Sequence, residues 1–433
     1  MFTRYKWSIH RLTEMLRHLE AHPDDLDCLL KLQWRLVDLI RRTERRIGAL
    51  RELRRTLKQR HRASRQPKAG ARATKERINA IGEHISANQH LLFVWRCFGD
   101  GIAFLYLDKY ALKQTLYNTH DYYAKQTAGT LSGKAGLRLE WAIVRKFCKN
   151  LLPAMLCDIT NTIRHGDVCP LIGQDPFPIE VKASKNSNAR VARQLESLKS
   201  LHEFLINDEA VDFRGSSTVR RVEFVAPEVN FVDEVNQCIA EAQRIGLAQT
   251  SPEDGLFYVC VGPDSTSDQF NAVLRSDCFY TLLNEAKSAG TWMPYYPFTL
   301  SIRNATALYQ FIAGDLTLIV MVHVPTMLSL FASKGLKAEL VDHEDWFMVV
   351  SREGAKWGEN PFITVSTPFF GRLFHEFQSL EWFVQCNLDH LEVVEAEYRG
   401  VQGKMATGEV AANELTTGFM SKFKPLNWPG KGA

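Results

Sequence analysis

Apolar residues recur at helical spacing in the first part of the chain. Leu12, Leu16 and Leu19 stand three or four positions apart and predict a helix over residues 4–21. A second helix is predicted over residues 25–62, because its apolar positions alternate steps of four and three, as in a coiled coil. Those positions are Leu36, Ile40, Ile47, Leu50 and Leu57. Together the two helices predict an antiparallel hairpin.

Small and polar residues then interrupt this pattern. Residues 64–74 are predicted to be a linker, and residues 75–123 are predicted to be mostly helical. Within the second stretch, Gly99, Asp100 and Gly101 predict a turn between two helices.

Helix and strand patterns alternate in the middle of the chain, which predicts an α/β domain. At its centre, residues 167–172 and 178–184 form a predicted hairpin across a turn at Gly173. The other predicted elements are a helix over 136–152, strands over 154–163, 219–226 and 256–261, and helices over 191–206 and 232–245. The resulting order is α-β-β-β-α-β, followed by α-β.

The last third mixes short strands with helices and predicts a second, α+β domain, so the fold class is α/β locally and α+β overall. Its predicted strands are 298–302, 316–324, 346–351 and 362–364, and its predicted helices are 271–289 and 369–387. Four segments follow as a prediction: a basic helical hairpin or coiled-coil arm (1–65), a helical lead-in with the α/β domain (75–264), a C-terminal α+β domain (265–400) and a flexible tail (401–433).

Positive charge is concentrated in the N-terminal helices. Residues 1–75 contain 20 Lys and Arg against 8 Asp and Glu, a net charge of +12, whereas the whole chain carries +4 and the remainder therefore −8. This asymmetry favours a polyanionic partner, nucleic acid rather than a membrane. Arg54 and Arg55 are candidate contacts to a nucleic-acid backbone. The same basic face equally fits solvent, or docking to a partner protein or a second copy through a coiled coil.

The cysteines and the hydropathy of the chain indicate in which cellular compartment the protein is expected. The nine cysteines form no CxxC pair and are odd in number, which argues against a disulfide framework and a zinc knuckle and favours reduced, mostly buried thiols. The most apolar run, Leu316–Ala332, is interrupted by His323 and Pro325 and is too short to span a bilayer comfortably. The first residues lack the unbroken apolar segment of a secretory signal. We therefore expect a cytoplasmic protein without a membrane segment.

The central hairpin carries the charged residues that point to chemistry. Asp167 opens its first strand, and Glu180 and Lys182 share one side of the second, with Val181 facing the other way. Burying such charges costs several kcal/mol unless they are paired or bind a metal. Two carboxylates and an ammonium group therefore predict a divalent-cation site suited to hydrolysing phosphodiester bonds.

The triplet of an acid, any residue and lysine is a weak signal when it stands alone. A second copy, Glu285-Ala286-Lys287, lies in a helical pattern, where residues two apart do not face each other. The first copy, Glu180-Val181-Lys182, is a stronger signal because it lies on a predicted strand with β-branched residues, opposite an acid and between two predicted helices.

These features resemble the PD-(D/E)XK nuclease superfamily, the restriction-endonuclease-like fold, over about residues 130–230. The matching positions are Glu140 on the first helix, Asp167 after Gly166, the triplet Glu180-Val181-Lys182, and Gln194 in the following helix. The resemblance implies an αβββαβ core in which Asp167 and Glu180 bind Mg²⁺ or Mn²⁺ and Glu140 supports the metal shell. It also implies that Lys182 positions or activates the attacking water. Gly166 replaces the family's proline, and Leu198 stands where the glutamine motif carries an aromatic residue.

Alternatives remain at several positions around this motif. The Val181 carbonyl is a candidate third metal ligand. Asp158, in the preceding strand, is the alternative to Asp167, and Glu140 also fits a solvated helix position. His165 is expected in an exposed turn, with contact to substrate as the alternative, and Asp175 is expected in the turn before Pro176. Lys185 and Arg190 are candidate phosphate contacts.

The function expected from this reasoning is a Mg²⁺-dependent endonuclease acting on DNA, with RNA left open as substrate. A nuclease between a helical arm and a further domain resembles effectors of bacterial phage defence or mobile elements. The first alternative is a catalytically silent, nucleic-acid-binding or scaffold subunit of a larger complex. The second is an interaction module that forms homo-oligomers through its N-terminal helices.

Overall fold

The computed structural model describes residues 2–63, 67–125, 129–182, 189–263, 272–343, 345–355 and 360–406, without the side chains of 189–191 and 400–406. In chain order, its first part contains α1 (Lys6–Ala21), α2 (Leu26–Ala63), α3 (Lys68–Tyr106), α4 (Lys109–Gln114), α5 (Leu137–Lys149), β1 (Ala154–Leu156), β2 (Val168–Pro170), α6 (Ala189–Asn207), β3 (Glu209–Phe213) and β4 (Ser216–Arg220).

Further along the chain follow α7 (Val232–Ile245), β5 (Leu247–Glu253), β6 (Leu256–Val261), β7 (Cys278–Leu282), α8 (Leu283–Ala289), α9 (Phe298–Ser301), α10 (Ala305–Ala313) and β8 (Thr317–His323). The last elements are α11 (Val324–Ser333), β9 (Leu336–Leu340), β10 (Trp346–Arg352), β11 (Phe362–Ser366), α12 (Thr367–Phe370), α13 (Arg372–His375) and α14 (Leu380–Ala406). The mixture of helices with sheets confirms the α+β class.

The chain forms two compact units. One comprises residues 1–222 with 285–313, and the other comprises residues 223–284 with 314–433. This division differs from the segments expected at 65 and 264. The boundary lies near 222 because β5 and β6 pair with each other and β6 pairs with β8, which places residues 247–261 in the second unit. The expected tail over 401–433 lies outside the described residues from 407 onward.

In the first unit, α2 packs against α3. Ile47 of α2 forms a buried cluster with Ile81 and Ile85 of α3, so the coiled-coil face predicted on α2 is covered within the chain. The predicted linker over 64–74 is wrong from Lys68 onward, since α3 begins there. This mostly exposed segment continues directly into the part of α3 that packs against α2 through Ile81 and Ile85, and a helix is easier to extend than to start.

The predicted turn at Gly99, Asp100 and Gly101 is also wrong, because all three residues are buried inside α3. A Cβ at Gly99 would lie 2.0 Å from the Ile159 carbonyl oxygen, so only glycine permits this close packing. Asp100 accepts hydrogen bonds from the backbone N–H groups of Asn161 at 2.8 Å and Thr162 at 2.9 Å. The motif therefore fixes the loop that follows β1 against the helix.

Short antiparallel pairings form the sheets of the first unit. β1 pairs with β2, and Ile179 forms a bridge with Val168, so three segments lie side by side as the hairpin pattern predicted. Of the strand predicted over residues 154–163, only residues 154–156 form a paired strand. The strand predicted over 219–226 is wrong, because β4 ends at Arg220 and pairs with β3 in a separate hairpin.

The second unit contains a four-stranded sheet of order β5-β6-β8-β7 and a three-stranded sheet of order β11-β10-β9. Its strands at 256–261, 317–323, 346–352 and 362–366 confirm four sequence predictions. The helix predicted over 271–289 is partly wrong, because residues 278–282 pair as a strand with β8. The strand predicted over 298–302 is wrong, because residues 298–301 form a short helix of the first unit after Pro297. In both cases packing outweighs local propensity.

Candidate active site

The backbone of the hairpin places Asp167 beside Glu180. The Asp167 N–H donates to the Ile179 carbonyl at 2.9 Å, and the Ile179 N–H donates to the Val168 carbonyl at 2.7 Å. Gly166 precedes them with a φ of +70°, and a Cβ there would lie 2.9 Å from the Ile179 nitrogen. Glycine at this position therefore permits both the turn and the close approach of the two segments.

The side chain of Asp167 is held by its own hairpin and by a lysine. The Val181 N–H donates to Asp167 Oδ2 at 2.9 Å, and Lys134 Nζ donates to Asp167 Oδ1 at 2.8 Å. The predicted role of the Val181 carbonyl as a ligand stays a prediction. What the structure shows is that the Val181 amide orients the Asp167 carboxylate.

Lys134 joins three carboxylates that come from different elements. Its Nζ atom lies 2.7 Å from Asp158 Oδ2, 2.8 Å from Asp167 Oδ1 and 2.9 Å from Glu140 Oε2. Oxygen atoms of the three acids all lie within 4.8 Å of one another. Asp158 and Asp167 were alternatives in the sequence, and the structure brings both into one cluster.

Glu140 is placed by the first turn of α5, where a carboxylate also interacts favourably with the helix dipole. Its side chain is only 3% exposed, so the solvated position considered from the sequence is wrong. Gly136 makes room for it, since a Cβ there would lie 2.7 Å from Glu140 Oε1. Burial raises the pKa of Glu140, against the opposing effect of Lys134.

Glu180 adjoins this cluster through Asp167. Burial raises the pKa of Glu180, and the charge of Asp167 and a hydrogen bond between the two carboxyl groups raise it further. Lys125 and Lys134 act in the opposite direction by favouring the charged form. A pair of carboxyl groups in hydrogen-bond contact shares a proton unless positive charge is brought to it.

A second lysine, Lys125, reaches this side of the site together with His165. Lys125 Nζ lies 3.3 Å from His165 Nδ1, and His165 Nε2 lies 3.0 Å from the Tyr117 carbonyl. Burial and the charge of Lys125 lower the pKa of His165 to about 3, so the ring is neutral. Nε2 then donates to Tyr117 and Nδ1 accepts from Lys125. His165 is 1% exposed, so the expected exposed turn histidine is wrong.

The loop that carries Lys134 is fixed to the helices of the same unit. Glu44 of α2 accepts from the backbone N–H of Ser132 at 2.7 Å, and Arg96 of α3 donates to the Gly129 carbonyl at 2.9 Å. Arg96 also donates to the Asp158 carbonyl at 3.2 Å. The N-terminal helices therefore support the site directly.

The remaining predicted residues lie around or outside this cluster. Lys182 is exposed, and Gln194 is half-buried on α6. Lys185 lies outside the described residues, as does the side chain of Arg190. Asp175, expected in a turn, forms an ion pair with Arg221 at 2.9 Å. Among the described residues, the charges that act most on Glu180 come from Asp167, Lys125 and Lys134, and the sequence reasoning had missed both lysines.

Positive charge gathers at a cavity of about 540 Å³ between α2 and α3. Its lining residues are Arg51, Arg54, Arg55, Lys58, Gln59, Arg62, Ile85 and Gln89. Arg54 Nε is buried and, within the described part of the chain, has no hydrogen-bond acceptor. The two arginines predicted to contact nucleic acid, Arg54 and Arg55, thus belong to one basic cavity.

Comparison with known proteins gives no assignment: no family model, curated protein or solved structure matches this chain. Among the described helices, none combines the length and apolar character needed to cross a bilayer.

Proposed function

We propose that this protein is a metal-dependent nuclease that hydrolyses the phosphodiester bonds of DNA at the cluster of Glu140, Asp158, Asp167 and Glu180. The observation that carries the proposal is the surplus of carboxylates over cations in a mostly buried cluster. Within the described residues these four acids interact with Lys134 and Lys125, and Arg96, whose charge also acts on Asp158, is paired with Glu44; when all groups are ionised, two negative charges remain. A divalent cation would balance them.

The donor set fits Mg²⁺ or Mn²⁺. Both are hard cations that prefer carboxylate oxygens, at roughly 2.0–2.1 Å for Mg²⁺. Glu140 Oε2 is buried and lies 2.9 Å from Lys134 Nζ, and oxygen atoms of Glu140, Asp158 and Asp167 all lie within 4.8 Å of one another. Asp158, Asp167 and Glu140 would hold the metal, with Glu180 adjoining. When bound, such a metal polarises a phosphodiester and lowers the pKa of a water molecule.

The protein's own groups have separate roles in this proposal. The backbone N–H of Val181 keeps Asp167 oriented, and Lys125 favours the ionised form of Glu180. Lys182 follows Glu180 by two residues and is exposed, so we assign its ammonium group to an approaching phosphate. Lys134 neutralises the acids when no metal is present.

The order of elements supports the finer fold proposal. α5 with its acid is followed by β1, β2, the Ile179–Val181 segment and α6, which is the α-β-β-β-α order of a restriction-endonuclease-like core. This centre, combined with N-terminal helices and a second α+β unit, is the architecture we propose for an effector of phage defence or of a mobile element.

Cleavage assays test the proposal. The full chain is incubated with linear, circular and single-stranded DNA and with RNA, in Mg²⁺, Mn²⁺ or EDTA. Replacing groups that support metal ligands typically lowers activity about 10- to 100-fold, so we expect Glu180→Ala to lose about 10- to 100-fold of the activity. Glu285→Ala is the matched control, since Glu285 is the exposed acid of the helical copy of the triplet. Equal, EDTA-insensitive cutting by wild type and Glu180→Ala would refute the proposal.

The basic cavity between α2 and α3 supports nucleic acid as substrate. Each phosphate contact contributes about 0.9 to the slope of log affinity against log salt. We expect replacement of Arg54 and Arg55 by glutamine to reduce this slope by about 1–2. Arg72→Gln is the control, because Arg72 is an exposed α3 residue paired with Glu76. An unchanged slope in the double variant would show that the cavity does not bind the backbone.

The second candidate function is a silent nucleic-acid-binding subunit. It is favoured by one observation: Lys134 already binds three of the acids, as in a structural ion-pair network. Binding of the full chain to DNA without cleavage in any metal, and without metal binding at Asp167, would favour this candidate.

A further inference from the structure

The turn between α1 and α2 brings together nitrogen, oxygen and sulfur donors that the nuclease proposal does not use. His18 lies in the last turn of α1, His22 caps that helix, and Cys28 lies in the first turn of α2. Asp25 lies between them, so the sequence spacing is H-x₃-H-x₂-D-x₂-C. Imidazole and thiolate ligands of this kind suit Zn²⁺, whereas Mg²⁺ prefers oxygen alone.

The donor atoms are already close to one another. His18 Nε2 lies 2.9 Å from Asp25 Oδ2, and donor atoms of His18, Asp25 and Cys28 all lie within 4.8 Å of one another. The ring of His22 lies 4.9 Å from that of His18 between centroids. Ligand atoms on a tetrahedral zinc ion are separated by about 3.3–3.8 Å. Movements of about an ångström would therefore bring the donor atoms of His18, Asp25 and Cys28 to this spacing, which is within the reach of side-chain rotation.

Neighbouring contacts hold the turn in place. The Cys28 N–H donates to Asp25 Oδ1 at 2.9 Å, which leaves Oδ2 facing His18. Tyr106, at the end of α3, donates to the Pro23 carbonyl at 2.6 Å and fixes the turn to the helical core. Outer contacts of this kind orient metal ligands and reduce the cost of ordering them.

Cys28 differs from the other cysteines in its surroundings. All nine lie in described residues; eight are buried and Cys28 is half-buried. The side chains of His18 and Asp25 are 48% and 38% exposed. A metal ion can therefore approach His18 and Asp25 from solvent, with the half-buried Cys28 beside them.

We propose that His18, Asp25 and Cys28 bind one Zn²⁺ ion, with the fourth position open to water. Binding releases the Cys28 thiol proton to solvent and forms no other covalent change. The ion ties the end of α1 to the start of α2. This site is independent of the carboxylate cluster and of nuclease activity.

Metal-stripped full-length protein tests the proposal with Co²⁺ as a spectroscopic substitute for Zn²⁺. We expect one Co²⁺ per chain to give a thiolate-to-cobalt charge-transfer band, in addition to any Co²⁺ held by the carboxylate cluster; Zn²⁺ removes this band and excess Mg²⁺ does not. Cys28→Ser and His18→Gln should abolish the band. Asp24→Asn, a neighbouring acid of the same turn, and Asp167→Asn, in the carboxylate cluster, should retain it.

Two further measurements keep the interpretation clear. Circular dichroism checks that Cys28→Ser is folded, and thermal unfolding with Zn²⁺ should stabilise the wild type but not this variant. A charge-transfer band that survives in Cys28→Ser, or wild-type protein that binds no Co²⁺ at this site, would overturn the proposal. Neither result would affect the nuclease proposal, whose metal has oxygen ligands.

Discussion

Replacing Lys134 by methionine removes the only ammonium group seen in contact with Glu140, Asp158 and Asp167 in the described part of the chain. The side chains of these acids are 3%, 14% and 16% exposed, and that of Lys134 is 23% exposed. Removing one partner of a buried ion pair costs about 3–5 kcal/mol, because charge is left without compensation. For a unit of this size we expect the melting temperature in EDTA to fall by roughly 6–20 °C.

Divalent metal should restore much of this loss, because a bound cation can take over the neutralising role of the ammonium group. With a dissociation constant of about 1 mM, 10 mM Mg²⁺ would contribute about 1.4 kcal/mol. The gain should be larger in Lys134→Met than in the wild type, where the metal competes with Lys134 Nζ.

Thermal unfolding in EDTA, Mg²⁺ and Mn²⁺ measures both effects. Lys199→Met is the matched control, because Lys199 lies 3.5 Å from Glu203 on an exposed face of α6 and such pairs contribute about 0–1 kcal/mol. The reasoning is refuted if Lys134→Met unfolds like the wild type in EDTA, or if metal stabilises both proteins equally.

Three further predictions concern the helices and the site. Gly99→Ala should destabilise the chain by about 3 kcal/mol or more, because the added Cβ would clash with the Ile159 carbonyl oxygen. Gly48→Ala, whose Cβ would have no atom within 4 Å, should stabilise the chain by about 0.5–1 kcal/mol. Urea unfolding measures the stability of both variants. The pKa of His165 lies near 3, below its ordinary 6.5, so its contribution to stability is complete above pH 6.5 and is lost as the pH falls towards 3. In His165→Asn, the free energy of unfolding in urea should therefore fall less steeply between pH 6.5 and pH 3 than in the wild type. An equally steep fall in both proteins would contradict this. Lys125→Met should raise the pKa of Glu180 and so move the acid side of the pH–rate profile to higher pH. Lys182→Met should lower kcat without moving the profile. Identical profiles for the two variants would exclude separate roles for these lysines.

The local elements of the site could be predicted from the sequence because their signals are short-range. The alternating pattern around Asp167 and Glu180 predicts a hairpin, and the observed bonds between Asp167, Val168 and Ile179 have that form. The amphipathic pattern after Gly136 likewise predicts α5, whose first turn carries Glu140.

The partners of the acids could not be predicted, because they depend on packing between distant segments. Lys134 precedes α5 in a loop without a regular pattern, and its position depends on Glu44 and Arg96 of two long helices. The small-residue motif around Gly99 was assigned to a turn for the same reason: its role depends on Ile159, about sixty positions away. Lys125 gave no sequence signal that distinguished it from a solvated lysine.

Mn²⁺ binding measured by electron paramagnetic resonance tests the central claim most directly, namely that the carboxylate cluster is a divalent-cation site. Full-length wild type, Asp167→Asn and the control Glu285→Ala are titrated in parallel, with Mg²⁺ as competitor. The account predicts one saturable site per chain that Mg²⁺ displaces, retained in Glu285→Ala and lost or weakened at least about 10-fold in Asp167→Asn. Equal Mn²⁺ binding by wild type and Asp167→Asn, or no saturable binding to the wild type, would contradict it.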